Sequence, residues 1–256
     1  STLLPYTTLC RSPKFYVPDE ALAHCRTAVE RGAAAQAAWQ TTVEAWSAAN
    51  PELSATWKSM LSGELPQGWD ADLPVFNPAD GAIATRAASG KVINALAPNL
   101  PALFGGAADL DSSTRTYIKG SGDFEAGEYA NRNMRFGVRE HAMGSLANGM
   151  AVHGGLIPFT ATFFVFADYM RPPLRMAALS HYAPIFVFTH DSVGVGEDGP
   201  THEPVEQLMS LRVIPGLEVI RPADANETAA AWACAVRNRN HPTALIFTRQ
   251  NLPILD

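Results

Sequence analysis

Cysteine, charged side chains and long apolar runs are all scarce in this sequence of 256 residues. The three cysteines, Cys10, Cys25 and Cys234, are dispersed, which argues against a disulfide framework and favours a reducing, cytoplasmic setting. Only 17% of the residues are charged, no run of Lys or Arg occurs and the formal net charge is -6, so we expect no nucleic-acid partner. The most apolar stretch, residues 156–170, contains Asp168 and is too short and too polar to span a bilayer, so we expect no membrane segment.

The sequence changes character near residue 75. Before that point β-branched residues are sparse, four of the five tryptophans occur, and apolar residues recur at helical spacing, which predicts helices over about 19–48 and 51–62. Proline and glycine in the stretches Leu65 to Gly68 and Pro74 to Pro78 indicate a linker. We therefore predict a helical connecting segment, residues 1–75, followed by a larger domain, residues 76–256.

The larger domain alternates short β-rich runs with segments of helical length. The predicted helices lie at about 82–97, 140–153, 164–181, 203–211 and 224–239. The predicted strands between them are Leu103 to Gly106, Met134 to Val138, Leu156 to Thr162, Pro184 to Thr189, Leu217 to Arg221 and Ala244 to Thr248. This order predicts an α/β fold, a mostly parallel sheet flanked by helices on both faces and preceded by the helical connector.

Ligands of such sheets bind beyond the carboxyl ends of the strands, and polar residues follow several predicted strands here. Asp109 and Ser113 follow two glycines after the first strand, where they form either a turn or the rim of a site. Glu140 opens a helix directly after the second strand. It is either a favourable charge at a helix start or a buried carboxylate that shares a proton with a ligand ring nitrogen.

An aromatic series and a polar loop follow the next two strands. Phe163, Phe166 and Tyr169 recur every three residues, which is typical of core packing or of an aromatic box for a flat heterocycle. The loop between Thr189 and His202 contains three glycines, three carboxylates and two histidines. A zinc site formed by His190, Asp198 and His202 is one interpretation, and hydrogen bonding to a polyhydroxylated substrate fits the composition better.

Arginine residues supply positive charge at the same edge. Arg249 follows the sixth predicted strand, and Arg86 lies near the start of the first predicted helix of the domain. Together with His190 they are candidates for an anion pocket, because guanidinium groups hold phosphate through paired hydrogen bonds.

Five motifs in order resemble the pyrimidine-binding (middle) domain of transketolases, and the resemblance covers about residues 80–256, with residues 13–75 similar to the segment that precedes that domain. The motifs are Gly105-Gly106-Ala107-Ala108-Asp109-Leu110, Gly137-Val138-Arg139-Glu140-His141, Thr189-His190-Asp191-Ser192, Gly196 to Pro204, and Arg221-Pro222-Ala223-Asp224.

The resemblance implies a thiamine diphosphate enzyme of the pentose phosphate pathway, which moves a two-carbon ketol unit from a ketose phosphate to an aldose phosphate. By that resemblance Glu140 hydrogen-bonds the aminopyrimidine N1′ and His202 joins it in catalysis. Phe163, Phe166 and Tyr169 surround the ring, and Asp109 lies near the middle of the cofactor. The substrate-binding residues are matched to Arg86, Ser113, His190, Asp198, His202 and Arg249.

The family's diphosphate and Mg²⁺ are held by another domain, through a Gly-Asp-Gly sequence followed some residues later by Asn. Gly122-Asp123 is followed here by Phe124, and no other candidate occurs in the sequence. The resemblance therefore implies that this chain supplies the aminopyrimidine half of the site, forms a homodimer, and is inactive without a diphosphate-binding domain or chain.

Four other assignments stay open from the sequence. Three are thiamine enzymes of the same superfamily: a deoxyxylulose-phosphate synthase, a dihydroxyacetone synthase or the β subunit of a 2-oxoacid dehydrogenase. A chain of a different class, a non-catalytic remnant that only dimerises, would keep the same fold.

Overall fold

A computed structural model describes residues 13–255, so Cys10 lies outside the described residues. Contacts divide the chain into two compact units, the first ending at Ala55 and the second beginning at Thr56. In the first unit, helix α1 (Asp19–Ala49) begins after Pro18 with two acidic residues in its first turn and has no buried residue. Helix α2 (Pro51–Ser62) follows after the break at Asn50-Pro51 and continues into the second unit. Both helices were expected from the sequence, whereas the predicted domain boundary after residue 75 stays a prediction.

The second unit is built on a five-stranded parallel sheet. Its strands are β2 (Leu103–Ala107), β3 (Ile157–Phe163), β4 (Ile185–Thr189), β5 (Glu218–Ile220) and β6 (Thr243–Phe247), in the spatial order β2-β3-β4-β6-β5. Two short strands, β1 (Ile83–Ala84) and β7 (Asn251–Leu252), pair antiparallel beside it. The α/β fold class predicted from the sequence is confirmed.

Helices cover both faces of this sheet. They are α3 (Thr85–Leu96), the short α4 (Asp111–Thr114), α5 (Glu140–His153), α6 (Ala167–Leu179), α7 (Gln207–Arg212) and α8 (Ala225–Arg237). The alternation of strand side chains separates two cores: Ile185 and Val187 pack with α3 and α8, whereas Phe186 and Phe188 pack with α5, α6 and α7. A sheet buried on both faces explains why its strands are continuous apolar runs.

One predicted strand is wrong. Residues 134–138 form no regular strand; the preceding Asn133 makes isolated bridges to Gly105 and Asp123, and the chain then turns through Gly137, whose φ is 71°. A left-handed φ is incompatible with extended pairing, so the apolar alternation of Met134, Phe136 and Val138 misleads here.

The interpretation of Leu65 to Gly68 and Pro74 to Pro78 as a linker is also wrong, because both stretches pack into the second unit. Leu65 packs against one buried apolar cluster, and Phe76, which is 7% exposed, belongs to another. Among the described residues, no helix is both long and apolar enough to cross a bilayer. The cytoplasmic location expected from the sequence stays a prediction.

Candidate active site

Glu140 lines a cleft of about 440 Å³ at the carboxyl edge of the sheet. The cleft is also lined by Asp109, Val138, Phe166 and Tyr169. Glu140 is the first residue of α5 and is buried, and its carboxylate accepts no hydrogen bond from any residue that the structure describes. The carboxylate oxygens are not among the fully buried, unpartnered polar atoms of the described residues, so they are open to the cleft and available to hydrogen-bond a ligand there.

Aromatic rings form a row from this cleft to the loop after β4. Phe166 lies between Tyr169 and Phe163, with 6.1 Å between ring centroids in each pair, and the Phe163 ring contacts His190 at 3.7 Å between centroids. Phe163 itself is not among the described residues that line the Glu140 cleft. The predicted aromatic box is therefore divided: Phe166 and Tyr169 face the cleft, whereas Phe163 supports the histidine.

His190 is almost fully buried and has a left-handed backbone, with φ 62°. The guanidinium of Arg86 donates a hydrogen bond to its Nε2 over 3.2 Å, so Nδ1 carries the proton and donates to Thr189 Oγ1 over 2.8 Å. Burial, and then the positive charges of Arg86 and Arg249, lower the pKa of His190 to about 3. The imidazole is therefore neutral at neutral pH, and its 3.8 Å approach to Asp198 is not an ion pair.

Arg86 is held in place by the joint between α3 and β6. The Thr85 and Thr248 backbone amides each donate to the other residue's hydroxyl, over 3.0 and 2.7 Å. Arg86 also donates to the backbone carbonyl of Ser113 over 2.9 Å. Burial, and then the charges of Arg115 and Arg249, lower the pKa of Arg86, so this pocket is one that an anion would stabilise.

The remaining predicted site residues lie around the same edge. Arg249 is paired with Glu197, and the half-buried His202 lies over the Phe166 ring with 5.5 Å between centroids. Asp109 is exposed and has a left-handed φ of 60°, a conformation that non-glycine residues adopt rarely and often at functional sites. The structure thus places each of these residues along one edge, and Ser113 contributes a carbonyl, not its hydroxyl, to the contact with Arg86.

Sequence reasoning missed the ion pair that fixes the loop after β4. Arg221 donates from Nε and Nη2 to Asp191 Oδ2, over 2.8 and 2.6 Å, and the Asp191 carboxylate is buried. Both residues belong to motifs singled out in the sequence, and each directly follows a strand. Because parallel strands end at the same edge of the sheet, these positions could have indicated that the two side chains lie close together. Asp224 of the same motif is structural: its side chain caps α8 and accepts a hydrogen bond from the Leu255 amide.

The described residues offer no group of three His, Cys, Asp or Glu side chains that would hold a metal ion. The three residues of the zinc interpretation have other contacts instead. His190 interacts with Arg86 and lies 3.8 Å from Asp198. His202 interacts with Thr201 and with the Phe166 ring.

Comparison with known proteins agrees with this geometry. Residues 81–254 match the family model "Transketolase, pyrimidine binding domain". The chain belongs to the transketolase family. Residues 8–66 match the model "Transketolase, thiamine diphosphate binding domain", so most of the segment that we expected to be a connector is similar to part of that domain. That stretch contains no Gly-Asp-Gly sequence.

Curated transketolases resemble the chain over nearly its whole length. The transketolase of Geobacillus stearothermophilus is 57% identical over 242 residues, which cover 94% of this chain and 36% of that protein. The Bacillus subtilis enzyme is 53% identical over 243 residues, with 94% and 36% covered. The chain therefore spans about a third of the length of these relatives.

Solved transketolases have the same fold. A crystal structure of Pichia stipitis transketolase in complex with sedoheptulose 7-phosphate matches with a TM-score of 0.90 and 42% identity, over 95% of this chain and 37% of that one. A structure described as a split-gene transketolase, an inactive β4 tetramer, matches with a TM-score of 0.56 and 30% identity, over 69% of this chain and 55% of that one.

Proposed function

We propose that this chain supplies the aminopyrimidine side of a thiamine diphosphate site in a transketolase, which transfers a two-carbon ketol unit from a ketose phosphate to an aldose phosphate. The observation that carries the proposal is the unpartnered Glu140 carboxylate, which faces a cleft lined by Phe166 and Tyr169. Arg86, His190 and Arg249 form an arginine-rich pocket at the same sheet edge. The family relationship and the sugar phosphate bound in the Pichia stipitis enzyme support the reaction class.

The residues of the cleft fit an aminopyrimidine ring. Phe166 and Tyr169 provide flat apolar surfaces for it, and Glu140 provides an acceptor for a proton at a ring nitrogen. When bound, thiamine diphosphate supplies the carbanion chemistry, whereas the protein supplies orientation and electrostatics. In this account Glu140 holds a proton at the ring nitrogen, and a ring seated in the cleft would displace the water that otherwise competes for that hydrogen bond.

The arginine-rich pocket fits the phosphate group of the substrate. Arg86 and Arg249 provide cationic donors, and an anion between them would offset their mutual repulsion. Neutral His190 then orients the Arg86 guanidinium through its Nε2 acceptor. A substrate phosphate would compete with Glu197 for Arg249, because Glu197 is the present partner of that guanidinium.

Asp198 and His202 are suited to the sugar hydroxyls and the carbonyl-derived oxygen. His202 has Nδ1 engaged with Thr201, which leaves Nε2 for a substrate oxygen. Asp198 lies beside His190, with its side chain partly exposed toward the site. Both residues lie on the loop between β4 and α7, which the Asp191–Arg221 pair anchors.

The diphosphate and Mg²⁺ are proposed to be held by residues that this chain does not contain, since it has no Gly-Asp-Gly sequence. Self-association is proposed through the outward face of α5. Gly144 packs against α6 of the same chain, where a Cβ would lie 2.9 Å from Pro173. Gly149, in contrast, has open space around its Cβ position, and Leu146 and Val152 near it are exposed. That face permits close helix approach between two copies.

A chimera tests the proposal. The residues of this chain replace the corresponding 242 residues of the Geobacillus stearothermophilus enzyme, and ketol transfer from xylulose 5-phosphate is measured with thiamine diphosphate and Mg²⁺. We expect an active chimera that loses at least about a hundredfold in kcat when Glu140 is replaced by Gln, the scale of a lost proton-transfer group. Glu218→Gln, at an exposed glutamate of β5, is the matched control and should leave kcat unchanged. An active chimera that is indifferent to Glu140→Gln would contradict the assignment.

A further inference from the structure

A second cleft, of about 660 Å³, lies between helix α3 and the segment from Asp111 to Lys119. It contains none of the residues assigned above to the cofactor or the substrate. Its volume lies within the usual range for small-molecule sites, about 300–1,000 Å³. The cleft therefore has room for a ligand of its own.

Positive charge predominates in this cleft. Lys91, Arg115 and Lys119 line it, and the only carboxylate that the structure describes among its lining residues, Asp111, is already paired with Arg135. Within residues 13–255 neither Arg115 nor Lys119 makes a side-chain hydrogen bond or an ion pair, and Lys91 lies 5.5 Å from the Phe76 ring centroid. This local excess of cations stands out in a chain whose formal net charge is -6.

The wall that carries the two unpaired cations is fixed to α3. Asn94 donates to the Tyr117 carbonyl over 3.1 Å and accepts from the Lys119 amide over 2.8 Å. Gly90 allows a close approach of the same segment, since a Cβ there would lie 2.7 Å from the Arg115 carbonyl oxygen. A cleft whose backbone is already in place loses little conformational entropy when a ligand binds.

We infer that this cleft binds a small phosphate-bearing molecule through Arg115 and Lys119, with Lys91 contributing to its positive potential. Guanidinium and ammonium groups form charge-assisted hydrogen bonds with phosphate oxygens, and here both groups lack a competing carboxylate. Arg115 is also one of the charges that lower the pKa of Arg86. An anion bound to Arg115 would therefore reduce the electrostatic repulsion between Arg115 and Arg86. The inference does not depend on the proposed function.

Calorimetric titration of pyrophosphate into the full chain, at low ionic strength and without Mg²⁺, tests this site. We expect saturable binding that weakens at least about tenfold in the double variant Arg115→Gln/Lys119→Gln, since a hydrogen bond to a charged group contributes about 1.5–3 kcal/mol. Arg212→Gln, at an exposed arginine of α7, removes the same charge elsewhere and should change the dissociation constant by less than about twofold.

Arg86→Gln separates the cleft from the arginine-rich pocket, and in this variant pyrophosphate binding should persist. Thermal unfolding gives an independent readout: pyrophosphate should raise the Tm of the parent chain and of Arg86→Gln, and should raise that of the double variant by less, since only the arginine-rich pocket is left there. Absence of binding at millimolar pyrophosphate, loss of binding in Arg86→Gln with retention in the double variant, or an equal loss in Arg212→Gln would each overturn the inference.

Discussion

At the scale of single residues, His190 shows how contacts decide a protonation state. Its Nε2 accepts from Arg86 and its Nδ1 donates to Thr189, so each ring nitrogen has one fixed role. Protonation of Nε2 would set two cations against each other in a buried position. The neutral imidazole of His190 therefore acts as a hydrogen-bond acceptor for Arg86 in the arginine-rich pocket, and it does not act as a general base.

The lowered pKa of His190 predicts a specific pH dependence of stability. The unfolded chain binds a proton at this histidine below about pH 6.5, whereas the folded chain does so only below about pH 3. Between these values the unfolded state binds more protons, so the free energy of unfolding should fall as the pH decreases from 6.5 toward 3.

His190→Gln should remove this histidine's share of the decrease. Urea denaturation at pH 7.5, 5.5 and 4.5 measures it: the variant is less stable than the parent at pH 7.5, and the difference narrows as the pH falls. A difference that stays constant across this range would show that His190 titrates alike in both states.

The sequence predicted the positions of the candidate site residues better than it predicted their contacts. Polar residues after apolar runs were enough to single out Glu140, His190 and Arg249, because parallel strands end at one edge. The pairing of Asp191 with Arg221 was not predicted, since it depends on which strands are neighbours and on two rotamers. The sites' roles, as distinct from their positions, stay predictions.

At the scale of elements, the strands show where sequence-based prediction succeeds and where it fails. Five of the six predicted strands form. Their apolar runs contain β-branched and aromatic residues, which is typical of strands in a sheet that helices cover on both faces. The remaining predicted strand, at residues 134–138, lies against β2, where the missing side chain of Gly106 allows the Met134 backbone to approach closely. The local pattern of residues 134–138 does not contain this information, because the approach depends on a glycine in another segment.

The close approach at β2 predicts a large effect for a small substitution. A Cβ on Gly106 would lie 2.0 Å from the Met134 carbonyl oxygen, so Gly106→Ala must displace backbone and should lower the free energy of unfolding by more than about 3 kcal/mol. Gly149→Ala in α5, compared at protein concentrations at which both chains are monomeric, is the matched control, because its Cβ would meet nothing within 4 Å of the same chain, and it should raise stability by about 0.5–1 kcal/mol. Chemical denaturation measures both, and equal effects would refute the steric explanation.

At the scale of the whole molecule, the proposed function makes this chain one side of a ligand site. The described residues form a cleft lined by Phe166 and Tyr169 and a cluster of Arg86, His190 and Arg249 along one sheet edge, while the sequence contains no Gly-Asp-Gly. The curated relatives extend well beyond the matched region, which is about a third of their length. An aminopyrimidine contact alone buries little of a cofactor, so this chain should need a further domain to bind it.

Calorimetric titration of thiamine diphosphate with Mg²⁺ tests this half-site account most directly, with the chain alone and with the chimera measured side by side. The account predicts micromolar binding by the chimera, weakened by Glu140→Gln, and no binding by the chain alone at cofactor concentrations up to about 1 mM, where the binding free energy would be only about -4 kcal/mol. Micromolar binding by the chain alone would contradict it, because a complete cofactor site would then be present in these 256 residues.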